Sequence, residues 1–217
     1  MDYYEIGVKL ALYFVPFLFA LCFHEFAHGW VARLKGDRTA EMMGRLTLNP
    51  LAHIDPIGTV ILPIIGIVSH IPVFGWAKPV PVNERNLKHP VKDMFWNALA
   101  GPLSNVLLAF VGTILLAGIL RMNDSNTMRA VLTMDIAFIN VNLILALFNL
   151  IPIHPLDGGK VVARFLPYEW NRMLEQNQGT FNLILVVLFL SGGIRFLAVP
   201  AQYASDFLIE LARQIAQ

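Results

Sequence analysis

A chain of 217 residues that is 56% apolar and only 14% charged departs from an ordinary soluble domain, which is about 45–50% apolar and about 25% charged. Its mean hydropathy is +0.60 and its apolar residues gather into long uncharged runs, so it reads as an integral membrane protein. A net charge of +1 gives no basis for binding nucleic acid, and the single cysteine, Cys22, excludes an intrachain disulfide.

The opening stretch MDYYEIGVK lacks the basic start and small-residue cleavage site of a signal peptide and is expected to be mature structure. A helix needs roughly 20 residues at about 1.5 Å each to cross the hydrocarbon core. Residues 6–34 meet that length, with Pro16 as an expected kink. Residues 57–74 also have the length for one crossing, but Pro63 and Gly66 sit mid-way, so the segment either spans or enters and returns as two half-helices. The stretch FGWAKPVPV, residues 74–82, reads as extended. Pro79 and Pro81 place their missing N–H groups on one edge, while Lys78, Val80 and Val82 keep donors on the other. Such a strand can add to an unwound substrate on one side, or be a proline-rich interfacial loop anchored by Trp76.

Residues 94–120 carry no charge and span; residues 130–153 span with Asp135 near their start. Residues 181–200 form a further crossing interrupted by Gly192, Gly193 and Arg195, and residues 201–217 a short amphipathic helix with Phe207, Leu208 and Leu211 on one side. The expected fold is an all-α polytopic membrane protein of about four transmembrane helices, with a re-entrant segment and a short extended or hairpin-like loop. A single membrane-embedded domain covers residues 1–217, with a core at about 6–160 and a C-terminal helical region at 179–217.

Charge orients the crossings. The segments after residue 34, from 78 to 92, and after residue 153 are richer in Lys and Arg than the 121–129 linker, and basic loops stay on the cytoplasmic side. All three share that side only if residues 57–74 enter and return, which favours the re-entrant reading.

His24 and His28 are four apart, one above the other on a helix face. Two imidazoles so placed can each direct a nitrogen to one tetrahedral zinc, and Glu25, next to the first, can take a proton from water at the metal. The plainer reading is a buried polar cluster, with each histidine bonded to a carbonyl. Ionisable side chains are costly within the membrane and usually functional there, and a cation is what two imidazoles and an acid require. A catalytic zinc needs a third protein ligand. Asp157, in NLIPIHPLDGG, stands where Pro152, Pro155 and Gly158–Gly159 break the crossing; the competing reading is a helix stop with Asp157 pairing to Lys160. His24 lies roughly 15 Å before the cytoplasmic end of its helix, and Asp157 approaches the same depth if residues 57–74 return. His53, His70 and His89 have no partner spacing and read as loop or interfacial residues, Cys22 as an apolar filler, and Gly101 and Gly112 as helix-packing positions.

With HEFAH at 24–28, AGPLSN at 100–105 and NLIPIHPLDGG at 149–159 in that order, the chain resembles the site-2 proteases, over roughly residues 23–160. The resemblance implies an intramembrane zinc endopeptidase of the kind used in regulated intramembrane proteolysis, in a minimal form without PDZ or CBS domains. It implies one Zn2+ per chain held by His24, His28 and Asp157, with Glu25 as catalytic base and Asn105 and Asn149 as polar groups near the substrate. Leu150 after Asn149 and His154 in place of a nonpolar or proline residue depart from the family pattern, and His154 stands as the second candidate for the third ligand. The implied substrates are single-pass or otherwise membrane-anchored proteins, and the implied site is a prokaryotic cell membrane with the active centre toward the cytoplasm. The alternatives are a zinc-binding membrane transporter using the same ligands and a non-proteolytic relative that binds membrane helices; Glu25 favours the enzyme, since a carrier needs no general base.

Overall fold

The computed structural model describes residues 7–69, 75–122, 126–193 and 195–217. The opening six residues, His70, Phe74 and the middle of the 121–129 linker, on which some of the expectations above fall, lie outside them.

Most of the described residues are helical, with no strand among them. A wide-turn helix at Leu10–Phe14 leads directly into α1, Val15–Leu34. Pro16 lies in the first α turn, where its missing N–H costs least, so it marks the change of helix type rather than a break within α1. A wide-turn stretch at Pro56–Ile61 is capped by Asp55, whose carboxylate accepts from the N–H groups of Ile57 and Gly58, and runs on into α2, Leu62–Ser69. Then follow α3, Pro90–Leu120, α4, Asn126–Asn149, α5, Asp157–Ala163, α6, Tyr168–Gln176, α7, Gln178–Leu190, and α8, Arg195–Ala216.

Three helical stretches, Gly7–Leu34, Pro90–Leu120 and Thr127–Asn149, are long and apolar enough to cross a bilayer. The protein is an integral membrane protein. On α3 the large residues Leu103, Leu107, Phe110 and Ile114 follow a helical stripe and stay exposed, as lipid-facing side chains do. The opposite side packs alanines among larger apolar side chains: Ala109, Leu116 and Ala117 of α3 meet Ile139 and Leu143 of α4 and Ala201, Leu208 and Ala212 of α8. Alanines let helix axes approach where burial of apolar surface gives no advantage over lipid. A second cluster joins Phe17 and Leu21 of α1 to Ala77, with Val141 and Leu145 of α4 against it.

The C-terminal part departs from expectation. Gly192 takes a positive φ of 77°, which ends α7 and separates it from α8, so residues 181–200 are not one continuous helix. The tail is instead the greater part of the 22-residue α8, with Pro200 inside it. Leu208 is buried and Phe207 exposed, because α8 lies along α3 and α4 with the alanine side inward. Its last carbonyls, those of Ile215 and Ala216, accept from the Arg121 guanidinium at the end of α3.

α3 begins where α1 ends. The Lys88 N–H donates to the Lys35 carbonyl at 3.1 Å, and the Lys35 ammonium stands 3.6 Å from Asp93. The C-terminal turns of α1 and the N-terminal turns of α3 therefore lie side by side, next to the end of α4 and the start of α5.

Candidate metal centre

Helical spacing stacks His24 and His28 on the inner face of α1, their Nε2 atoms 3.1 Å apart. Asp157, the first residue of α5, brings Oδ2 to 3.2 Å from each of them. All three side chains are buried. The outer ring nitrogens determine the protonation of the inner ones. His24 Nδ1 is 2.7 Å from Asn105 Oδ1, and His28 Nδ1 is 2.7 Å from the Asn97 carbonyl. Both oxygens can only accept, so each Nδ1 carries the proton and each Nε2 of the neutral ring presents a bare lone pair. Asp157 Oδ2 has no hydrogen-bond partner. Three acceptor atoms thus converge in a buried place with no donor among them. Tetrahedral ligands at about 2.0–2.1 Å from zinc stand about 3.3 Å from one another, close to the observed triangle. The residues fit the ion.

α3 supports the pair from behind. Asn97, Gly101 and Asn105 share one face at intervals of four. Asn97 Nδ2 donates to the His28 carbonyl at 2.7 Å. Asn105 Nδ2 donates to Asn142 Oδ1 at 2.9 Å and to the Ala20 carbonyl at 3.2 Å, which fixes the direction of its amide. A Cβ at Gly101 would stand 2.5 Å from His28 Nε2 and 2.6 Å from His24 Nε2; only glycine lets α3 pass this close to the ligand atoms. The resemblance had assigned Asn105 to the substrate. It is fully buried, with Oδ1 against the His24 ring, while Asn149 lines both cavities at the site. Asn97 was missed; its only signal in sequence was the four-residue interval to Gly101 and Asn105.

α4 ends at Asn149, and the chain folds back through tight turns, Ile153 N–H to the Ile151 carbonyl and Leu156 N–H to that of Ile153. Gly158 is required by proximity: a Cβ there would lie 2.3 Å from the Leu150 and Ile151 carbonyl oxygens. Asp157 is thereby turned inward rather than toward Lys160. His154 is buried, but outside the group that can hold a metal, His24, His28 and Asp157.

Residues 76–83 cross the site outside any helix, and several of their N–H groups bond the protein itself. Trp76 N–H donates to the Gly58 carbonyl and Lys78 N–H to that of His53, while Val80 N–H donates to Glu25 Oε2 at 2.7 Å. Of the three donors expected on that edge, Lys78, Val80 and Val82, the first two are thus engaged by the protein itself. His53, expected in a loop or at the interface, instead ends a 3-10 turn, Pro50–His53, and is buried, with Nε2 2.8 Å from the Thr47 carbonyl.

Two cavities meet at Glu25. One, of about 360 Å³, is bordered by Glu25, both histidines, Asp157, Glu84 and Lys160. The other, of about 450 Å³, is bordered by Glu25 with Leu21, Leu145, Phe148, Leu185 and Val186. A polar and an apolar chamber thus adjoin the same carboxylate.

The chain is 36% identical over 193 residues, 87% of its length and 84% of the relative's, to the Bacillus subtilis protein named "Putative zinc metalloprotease YwhC". The chain belongs to Peptidase family M50, the site-2 protease family. The model of that family matches residues 115–192, which include the Asp157 loop. The Mycolicibacterium smegmatis protein named "Putative zinc metalloprotease Rip2" is 34% identical over 86% of this chain and 69% of its own, and its Mycobacterium tuberculosis namesake 33% identical over 80% and 64%. No solved structure matches the chain. As an M50 peptidase this protein is a zinc metalloendopeptidase of the membrane, and Zn2+ is its cofactor.

Proposed function

We propose that this M50 peptidase hydrolyses a peptide bond in or near the transmembrane segment of membrane-anchored proteins, with His24, His28 and Asp157 as zinc ligands and Glu25 as general base. The observation that carries the ligand assignment is the triangle of donor-free acceptor atoms, 3.1 to 3.2 Å on a side. When bound, zinc supplies Lewis acidity that polarises the scissile carbonyl and makes water a nucleophile near neutral pH. Glu25 takes the proton of the attacking water and returns it to the leaving amine. The polar chamber, with Glu84 and Lys160 at its border, is the path for water. The apolar chamber receives the side chains of the substrate. A helical substrate hides its carbonyls and must unwind before attack, which exposes backbone groups that cost several kcal/mol each in hydrocarbon, by order of magnitude. Asn149 borders both chambers and offers such groups an amide. Asn105 holds His24 in its tautomer.

The junction of Lys35 with Lys88 supports a re-entrant segment between α1 and α3, since the chain rejoins the end of the bundle it left. The histidines and Asp157 then share one depth, on the side of the three basic loops, and the site faces the cytoplasm of a prokaryotic cell. α8 packs along α3 and α4 as a further long helix of the bundle, and residues 1–217 act as one domain.

Purified protein should carry one zinc per chain, and Glu25→Gln should keep it while losing cleavage of a single-pass test protein in liposomes. Undiminished cleavage by that variant removes Glu25 from the role of base. Zinc flux into the liposomes that His24→Ala abolishes would favour a carrier.

A further inference from the structure

The stretch over the site turns several of its donors to the protein, and one of them meets the catalytic helix at Glu25. Val80 stands between Pro79 and Pro81, which have no N–H and fix their own φ near −65°. Its N–H, 2.7 Å from Glu25 Oε2, is therefore isolated between two residues that cannot donate. The stretch is pinned on both sides of this point. Upstream, Lys78 N–H bonds the His53 carbonyl at 2.9 Å, and the Arg45 guanidinium bonds the Lys78 carbonyl at 2.8 Å. Downstream, Asn83 N–H bonds Asp37 Oδ2 at 2.7 Å. The Val80 side chain is buried against α1, where a Cβ on Gly29 would lie 3.1 Å from its Cγ1.

A glutamate on a helix has three side-chain torsions and sweeps a wide arc unless something holds its head. Glu25 borders two chambers at once, so its carboxylate has open space to turn into. A rigid backbone donor on one oxygen removes that freedom and leaves the second oxygen to take the proton. We infer that the Val80 backbone N–H is the positioning group of Glu25, and that the proline-flanked stretch acts on catalysis by holding this carboxylate. The inference rests on Glu25 being the base.

The test replaces the Val80 amide by an ester, inserting the α-hydroxy acid of valine at position 80 of the full-length protein. This deletes the N–H and keeps the side chain. One zinc per chain should remain, KM for a single-pass membrane substrate should stay within about twofold, and kcat should fall about 10–100-fold, the range for a hydrogen bond to a charged group. Val80→Pro removes the same N–H by ordinary mutagenesis and should show the same split. An unchanged kcat overturns the inference. A raised KM with unchanged kcat also overturns it, because the N–H would then serve substrate. Loss of zinc from both variants overturns it as well, since the stretch would then be a structural strap. Glu25→Gln measured alongside separates the two ideas: inactive Glu25→Gln with a full-speed ester sinks only the positioning role, whereas active Glu25→Gln sinks the base itself.

Discussion

Asn105 shows how far the proposed metal site extends beyond the atoms that would touch the ion. Its carbonyl oxygen orients His24 through Nδ1, and its amide nitrogen is anchored to Asn142 and to the backbone of Ala20. Partners of this kind set ring orientation and ligand basicity, and losing one costs about 10–100-fold in metal affinity. Asn105→Ala should lower zinc affinity by that factor, read by competition with a chelating dye; an affinity equal to wild type would show that the ring is oriented without it. The motif AGPLSN announced a polar group in the membrane, but which way it points depends on the rotation of α3 against α1. Gly101, one turn earlier on that face, is a packing glycine as its sequence suggests, and the partner it admits is the pair of histidine rings.

At the scale of elements, the stretch at residues 76–83 is held by loops far from it in sequence. Asp37 is its downstream anchor. It accepts from the hydroxyl and N–H of Thr39, from the Asn86 amide and from the Asn83 N–H. Burial pushes its pKa up, but these donors outweigh burial and hold the carboxyl below its ordinary value. A depressed folded pKa gives stability that is fully present above the unfolded value, about 3.9, and is lost as pH falls through the folded value. The stability difference between wild type and Asp37→Asn should thus be constant from about pH 7 to about pH 5 and shrink below about pH 4. Thermal unfolding in detergent across that range checks it, and a difference that grows in acid would contradict the charge assignment. The prolines made the stretch legible as extended; its donors turned inward because His53 and Glu25 lie beneath it, which local sequence does not record.

Across the whole molecule, the proposed zinc ties α1 to a loop beyond α4. An ion that binds only the folded state stabilises it by RT ln(1 + [Zn]/Kd), about 2.7 kcal/mol at a hundredfold excess over Kd. For a chain of this size that is on the order of 5–10 °C in the unfolding midpoint. A chelator should lower the wild-type midpoint by that amount and leave Asp157→Ala unmoved. Equal shifts in both proteins would place the ion elsewhere.

By itself the sequence determined what depends on near neighbours. Helical periodicity stacked His24 on His28, uncharged runs marked the spanning helices of α1, α3 and α4, and Pro and Gly broke the chain around Asp157. These follow from covalent geometry and from the cost of charge in lipid, both readable over a few turns. The tertiary structure alone decided which asparagine stands behind His24, that the Val80 N–H meets Glu25, and that α8 is one long packed helix. Those outcomes depend on the rotation and depth of helices joined by loops of many residues, and a shift of one residue along a helix turns a side chain by about 100°.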